Sequence, residues 1–117
     1  RQSCNMRSDD LIRVRHMLDA AAEALAFARG QTRASLDANR MLTLSIVKDI
    51  EIIGEAAAKV TQESQDALPE IPWLSIIAMR NRLIHAYFEI DLDRVWDTVI
   101  TDLPPLIASL EKIIAPG

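Results

Sequence analysis

Cysteine is nearly missing from this chain, with Cys4 the only one. A lone thiol forms no internal disulfide, so a packed core must hold the fold, and the chain suits a reducing compartment. Glycine is also scarce, at 3 residues in 117, and the aromatic side chains are Phe27, Trp73, Tyr87, Phe88 and Trp96. No strand-like alternation, internal repeat or low-complexity tract interrupts the chain, and it carries neither a glycine-rich phosphate loop nor a nucleophile elbow. No apolar run approaches the roughly 18 residues that span a bilayer, and no secretory h-region opens the chain. No membrane association is therefore expected, and the reading is cytoplasmic. The two histidines, His16 and His85, have no cysteine or carboxylate cluster nearby, so no metal site and no cofactor is expected. A net charge of −4 and a pI near 5.1 argue against broad nonspecific nucleic-acid binding. They leave room for a local basic cleft.

What is abundant favours helix: Ala, Leu, Ile, Met, Glu and Arg dominate. A length of 117 residues fits one domain with a real core. Residues 1–5 read as an unstructured tail or a cloning remnant, with Met6 as a native start, and residues 6–117 as one helical domain. Helix 1 is expected from residue 9 or 10 to 28, on Leu11, Val14, Leu18, Ala21, Leu25 and Ala28, with Ser8 or Asp9 as cap and Gly30 as stop. Helix 2 is expected from residue 35 or 39 to 63, on Leu42, Ile46, Ile50, Ile53, Ala57 and Val60. Residues 62–71 read as a polar loop. Pro72 suits the first turn of helix 3, which is expected to run to residue 85 or 86. Asp91 can cap helix 4, on Leu92, Val95, Trp96, Val99 and Leu103, and Pro104-Pro105 should break or kink the pattern before a last helix. The fold class is an all-α, antiparallel bundle of four or five helices.

One stretch conflicts with its own pattern. Arg80-Asn81-Arg82-Leu83-Ile84-His85-Ala86-Tyr87 ends the helix 3 pattern with an arginine, an amide, an imidazole and a phenol. At about 100° per residue, Trp73, Ile76, Ile77, Leu83, Ile84 and Tyr87 share a wide apolar stripe with Arg80 near its centre. A charge there needs a partner or a task. Leu74, Ala78, Asn81 and His85 form a flanking stripe. On a continuous helix Asn81 and His85 would meet, whereas Arg80 and His85 would point roughly 140° apart. A single-chain site is then hard to build, and a cleft across a two-fold axis is the better arrangement. Plain structural readings stand beside these. Arg80 can be a buried ion pair with Glu51 or Glu55, and His85 a helix C-terminal residue favoured by the dipole. Asn81 can be a surface amide and Tyr87 a half-buried ring. Lys48, Glu51 and Glu55 read first as ion pairs at helical spacing, and His16 as a partly exposed helix residue.

The spacing Arg80-Asn81-x-x-x-His85-x-Tyr87 resembles the signature of HEPN domains, and with Tyr87 it is similar to their HepT-like branch. Further blocks match in order: His16-Met17-Leu18-Asp19-Ala20, Glu51-Ile52-Ile53-Gly54-Glu55-Ala56-Ala57, Pro69-Glu70-Ile71-Pro72-Trp73, and Asp91-Leu92 through Val95-Trp96-Asp97 to Asp102-Leu103-Pro104. Ala86 departs from the glycine common in relatives, and its methyl should crowd the site slightly. The resemblance implies a dimerising all-α bundle and a metal-independent endoribonuclease, the toxin of a type II-like toxin–antitoxin pair. It also implies a cognate minimal nucleotidyltransferase (MNT) that neutralises the toxin, in some pairs by AMP transfer to the motif tyrosine, here Tyr87. It makes Arg80, Asn81 and His85 the catalytic set, with Glu51 or Glu55 in a supporting role toward Arg80. Against this stands a reading from another class: a catalytically silent helical module that docks a nucleotidyltransferase or binds a nucleotide.

Overall fold

The computed structural model describes residues 7–86 and 89–114; for residues 80, 82–86 and 89 the description covers the backbone only. The expected tail at residues 1–5 and the candidate Tyr87 lie outside the described residues. The chain folds as α1 (Ser8–Ala28), α2 (Arg33–Ala38), α3 (Arg40–Lys59), α4 (Gln62–Ala67), α5 (Trp73–Leu83), β1 (Ile84–Ala86), β2 (Glu89–Ile90), α6 (Leu92–Asp97), a π-helical turn (Thr98–Asp102) and α7 (Leu103–Ile114). The architecture is all-α apart from the small β1–β2 antiparallel ladder. Among the described residues no helix is long and apolar enough to cross a membrane.

Packing follows the apolar stripes. Val14, Met17, Ala21 and Ala24 of α1 meet Ile46, Ile50, Ile53 and Ala57 of α3 in one core, and all eight are buried. Small residues on α1 let the two helices lie close, and this is the most extensive contact in the fold. α1 also packs on α7 through Leu106, Leu110 and Ile113, and α3 packs on α5 through Trp73, Ile76 and Met79. The least dimension is 19 Å, about two helix diameters. Two layers leave every long helix one outward side.

Several boundaries differ from expectation. Neither Ser8 nor Asp9 caps α1; Arg7 holds the N-cap position without a side-chain bond. Of the two expected starts for the second helix, Asn39 is the observed one; residues 33–38 form the separate α2, and α3 ends at Lys59, before the expected residue 63. Asn39 ends α2 in extended backbone and caps α3 by accepting from the Leu42 N–H, at 3.1 Å. The expected polar loop contains α4, capped by Thr61 and held from α1 by the buried Asp10. Asp10 accepts from the Thr61 N–H (3.0 Å), the Thr61 hydroxyl (2.6 Å) and the Ser64 hydroxyl. Burial works against ionisation of Asp10, but the bonds from Ser64 and Thr61 outweigh it and lower its pKa. Pro104-Pro105 does not break the last helix. Leu103 donates back five residues to Thr98, and the wide π turn absorbs the two missing N–H groups at the start of α7. Asp91 caps α6 as expected, accepting from the Arg94 N–H at 3.1 Å.

One buried group remains in conflict. Asp49 of α3 is 2% exposed, and its Oδ2 has no hydrogen-bond partner. Burial, and then the nearby carboxyl of Glu23 on α1, push its pKa up to about 7. Two carboxyls this close share a proton more readily than both ionise.

Candidate functional site

α5 starts where Pro72 places its carbonyl for the Ile76 N–H, at 3.0 Å. Trp73 anchors that end, donating from its indole nitrogen to the Leu68 carbonyl at 3.0 Å. Along the helix Trp73, Ile76 and Met79 are buried, Ile77 and Ala78 half-buried, and Leu74, Ser75 and Asn81 exposed. Arg80 occupies a helix position on the arc between Trp73 and Ile76, as the sequence pattern places it. The flanking stripe is an outward face, with Leu74 81% exposed.

The motif is not one helix. α5 ends at Leu83, and His85 sits in the middle of β1, where Ile84 pairs with Ile90 and Ala86 with Glu89. The expectation that Asn81 and His85 meet at i,i+4 on a helix is therefore corrected, and so is the roughly 140° separation of Arg80 from His85. The residue types fit the switch: β-branched Ile84 and Ile90 suit extended, paired backbone. Arg80 and Asn81 thus lie in the last turn and a half of α5, and His85 two residues past its end.

Glu51 and Glu55 lie on α3, the helix that packs on α5. Glu51 is half-buried, 3.9 Å from the Lys48 ammonium, and Glu55 is exposed. That is the ion pair at helical spacing which the sequence favours, and at this exposure it contributes little. His16 is exposed on α1. Among the described residues no three His, Cys, Asp or Glu side chains gather as a metal-binding set.

The sequence reading missed a groove beside the motif. The long helices form a ring closed on three sides, α1–α3, α3–α5 and α1–α7. On the fourth side α5 and the α6–α7 arm flank a cavity of about 510 Å³. Its apolar lining includes Ile76, Met79, Leu103 and Leu106, and its polar lining includes Ser75, Arg94, Thr98, Asp102 and Ser109. Burial and the neighbouring Asp97 raise the Asp102 pKa, and Arg94 opposes them. Arg94 and Asp102 form no ion pair with each other. The available sequence signal was their four-residue spacing with Thr98 on one side of the last arm, which Pro104-Pro105 obscured.

The chain was compared with known proteins. The model of the family described as "Ribonuclease HepT-like" matches residues 17–113. A Thermococcus cleftensis protein with the provisional name ribonuclease HepT is 41% identical over 69 residues, covering 59% of this chain and 63% of that relative. The match thus spans less than two thirds of that relative. A Methanocaldococcus jannaschii protein provisionally named an RNase is 30% identical over 97 residues, covering 83% of this chain and 89% of its own. A second from that organism is 30% identical over 98 residues, covering 84% and 81%. No solved structure matches. The family match takes in most of α1, all of α3 and α5, and the junction that carries Arg80, Asn81 and His85, and on that extent the chain belongs to the HepT-like ribonuclease family.

Proposed function

We propose that this chain is a metal-independent endoribonuclease, the toxin of a toxin–antitoxin pair, acting at a cleft shared by two copies. The observation that carries the reading is the position of Arg80, Asn81 and His85 at one helix-to-strand junction in a chain of the HepT-like family. Metal-free RNA cleavage uses the 2′-hydroxyl next to the scissile phosphate. Its oxygen bonds to phosphorus as the bond to the 5′-oxygen of the next nucleotide breaks. A base removes the 2′ proton and an acid protonates the departing 5′-oxygen, leaving a 2′,3′-cyclic phosphate. His85 suits either proton transfer, because an unperturbed imidazole titrates at about 6.5. A dimer supplies two imidazoles, one as base and one as acid. Arg80 suits bidentate binding of the phosphate oxygens and stabilisation of their charge. Asn81 orients the phosphate or His85, and Glu51 or Glu55 steadies Arg80. The exposed Leu74 on the same helix face as Asn81 supports a dimer through that side of α5.

Tyr87 is the proposed point of control. Its ring suits stacking on a base. AMP transferred to its hydroxyl by a cognate MNT-type nucleotidyltransferase would add bulk and negative charge where RNA phosphate must enter. The acidic balance of −4 favours the second reading, a silent module that docks the nucleotidyltransferase or binds a nucleotide. The test incubates purified protein with RNA in EDTA, with Tyr87 shown to be unmodified by mass spectrometry. Cleavage yielding 2′,3′-cyclic ends and lost in His85→Ala is the expected result. No cleavage of any RNA tried would overturn the ribonuclease reading in favour of the second.

A further inference from the structure

We infer that the groove between α5 and the α6–α7 arm binds one nucleobase beside the scissile phosphate, with Arg94 on the adjoining phosphate and Asp102 reading an exocyclic amino group. This rests on the ribonuclease reading and adds a subsite to it. Four observations carry it.

The first is size and lining. A cavity of about 510 Å³ lies within the roughly 300–1,000 Å³ of small-ligand pockets. Ile76, Met79, Leu103 and Leu106, each no more than 8% exposed, form its apolar base, and Ser75 and Ser109 supply hydroxyls at its edge.

The second is the order of charges. Arg94 comes first on the α6–α7 arm and Asp102 eight residues later, about 12 Å along an α-helix and somewhat less through a π turn. The arm follows the β1–β2 ladder that leaves α5, so Arg94, four residues after β2, stands at the ladder end of the arm and Ser109 at its far end. A cation followed by a carboxylate matches a nucleotide, whose phosphate is anionic and whose amino-bearing base edge donates hydrogen bonds. A basic peptide would meet Arg94, and an acidic one would meet Asp102 and Glu70.

The third is that the two charges are not spent on each other. Arg94 and Asp102 form no ion pair, and the cap at Asp91 fixes the turn from which Arg94 projects. Both side chains are exposed, so each is open to a ligand.

The fourth is continuity with the motif. Met79 in the groove directly precedes Arg80, and Arg94 follows the strand β2 that pairs with the strand of His85. One strand of RNA can therefore place its phosphate at the junction and the next base in the groove.

Guanine, adenine and cytosine carry an exocyclic amino group and uracil does not, so the subsite should disfavour uracil. The test titrates the full chain with GMP, AMP, CMP and UMP and follows the Met79 methyl signal by NMR. Expected is a shift with the amino-bearing nucleotides and about tenfold weaker binding of UMP. Asp102→Asn should abolish that discrimination, and Ser109→Trp, which fills the groove from the far end, should abolish the Met79 response. A parallel map of cut sites in mixed-sequence RNA should show avoidance of uracil at one flanking position, lost in Asp102→Asn. No Met79 response to any nucleotide overturns the inference, as does equal binding of all four. A Ser109→Trp variant that changes oligomeric state but not nucleotide binding also overturns it, marking the groove as a protein interface. The two readings fail separately. Nucleotide binding in the groove without RNA cleavage sinks the ribonuclease and keeps the subsite; cleavage indifferent to base and to Asp102→Asn does the reverse.

Discussion

The α1–α3 side and the α5 side of this molecule bury their apolar residues to different extents. On the first, Val14, Met17, Ile46, Ile50 and Ile53 are fully buried and the helices touch along their length. On the second, α5 packs on α3, then presents Leu74 to solvent and leaves a groove against the α6–α7 arm. The packed side holds the fold together. The open side carries Asn81, Arg94 and Asp102, all exposed, beside the helix-to-strand junction at which Arg80 and His85 stand in the chain. On the proposed reading stability and function are spatially divided, which allows the open side to keep polar groups that a close-packed interface would have to satisfy or expel.

Mutations on each side should break or sharpen this contrast. The largest loss of stability is expected from Ile50→Ala, about 3–4 kcal/mol, because the cavity would open in the tightest part of the core. Urea titration followed by circular dichroism measures it. Asp10→Ala should follow at about 3 kcal/mol, since three donors from Thr61 and Ser64 lose their acceptor at a buried tie between α1 and α4. The folded-state pKa of Asp10 is depressed. Its contribution is therefore present above the unfolded carboxylate pKa and lost as pH falls through the folded value.

Asp49 has the opposite sign. Its folded pKa, about 7, lies above the unfolded value. Folding is favoured while Asp49 keeps its proton, and that advantage declines as pH rises from about 4 to about 7. Asp49→Asn should therefore stabilise the protein at pH 8, by on the order of 2 kcal/mol, and flatten the thermal midpoint between pH 5 and 8. A pH dependence left unchanged in the variant would contradict the assignment to Asp49. The smallest effect on the protomer is expected at Leu74→Arg, within about 0.5 kcal/mol, because the side chain is already in water. The same change should shift a dimer toward monomer in analytical ultracentrifugation, if that face of α5 joins two copies as proposed.

Sequence periodicity made the packed side legible. The stripes on α1 and α3 are long, and Ile46, Ile50 and Ile53 are buried where a 3.6-residue repeat puts them. The Asp91 cap and the entry of α5 after Pro72 were equally readable from local chemistry. Short elements were not. α4 has six polar residues, too few for a period, and exists because Thr61 and Asp10 hold its first turn. The end of α5 was misread because Ile84 continues the helical stripe, while its pairing with Ile90 depends on chain that follows. The groove was invisible because it depends on α5 and α7 failing to pack, which no single stretch encodes. Arg80 stood out in the sequence; the helix-to-strand junction between it and His85 needed the structure.

The division between the two sides is tested most directly by measuring RNA cleavage in EDTA and thermal midpoint on the same samples of wild type, His85→Ala and Ile50→Ala. His85→Ala should lose at least about a hundredfold in cleavage rate with an unchanged midpoint, whereas Ile50→Ala should melt earlier yet still cut RNA at temperatures where it stays folded. Cleavage that survives in His85→Ala, or a His85→Ala protein that loses its fold along with its activity, would contradict the account.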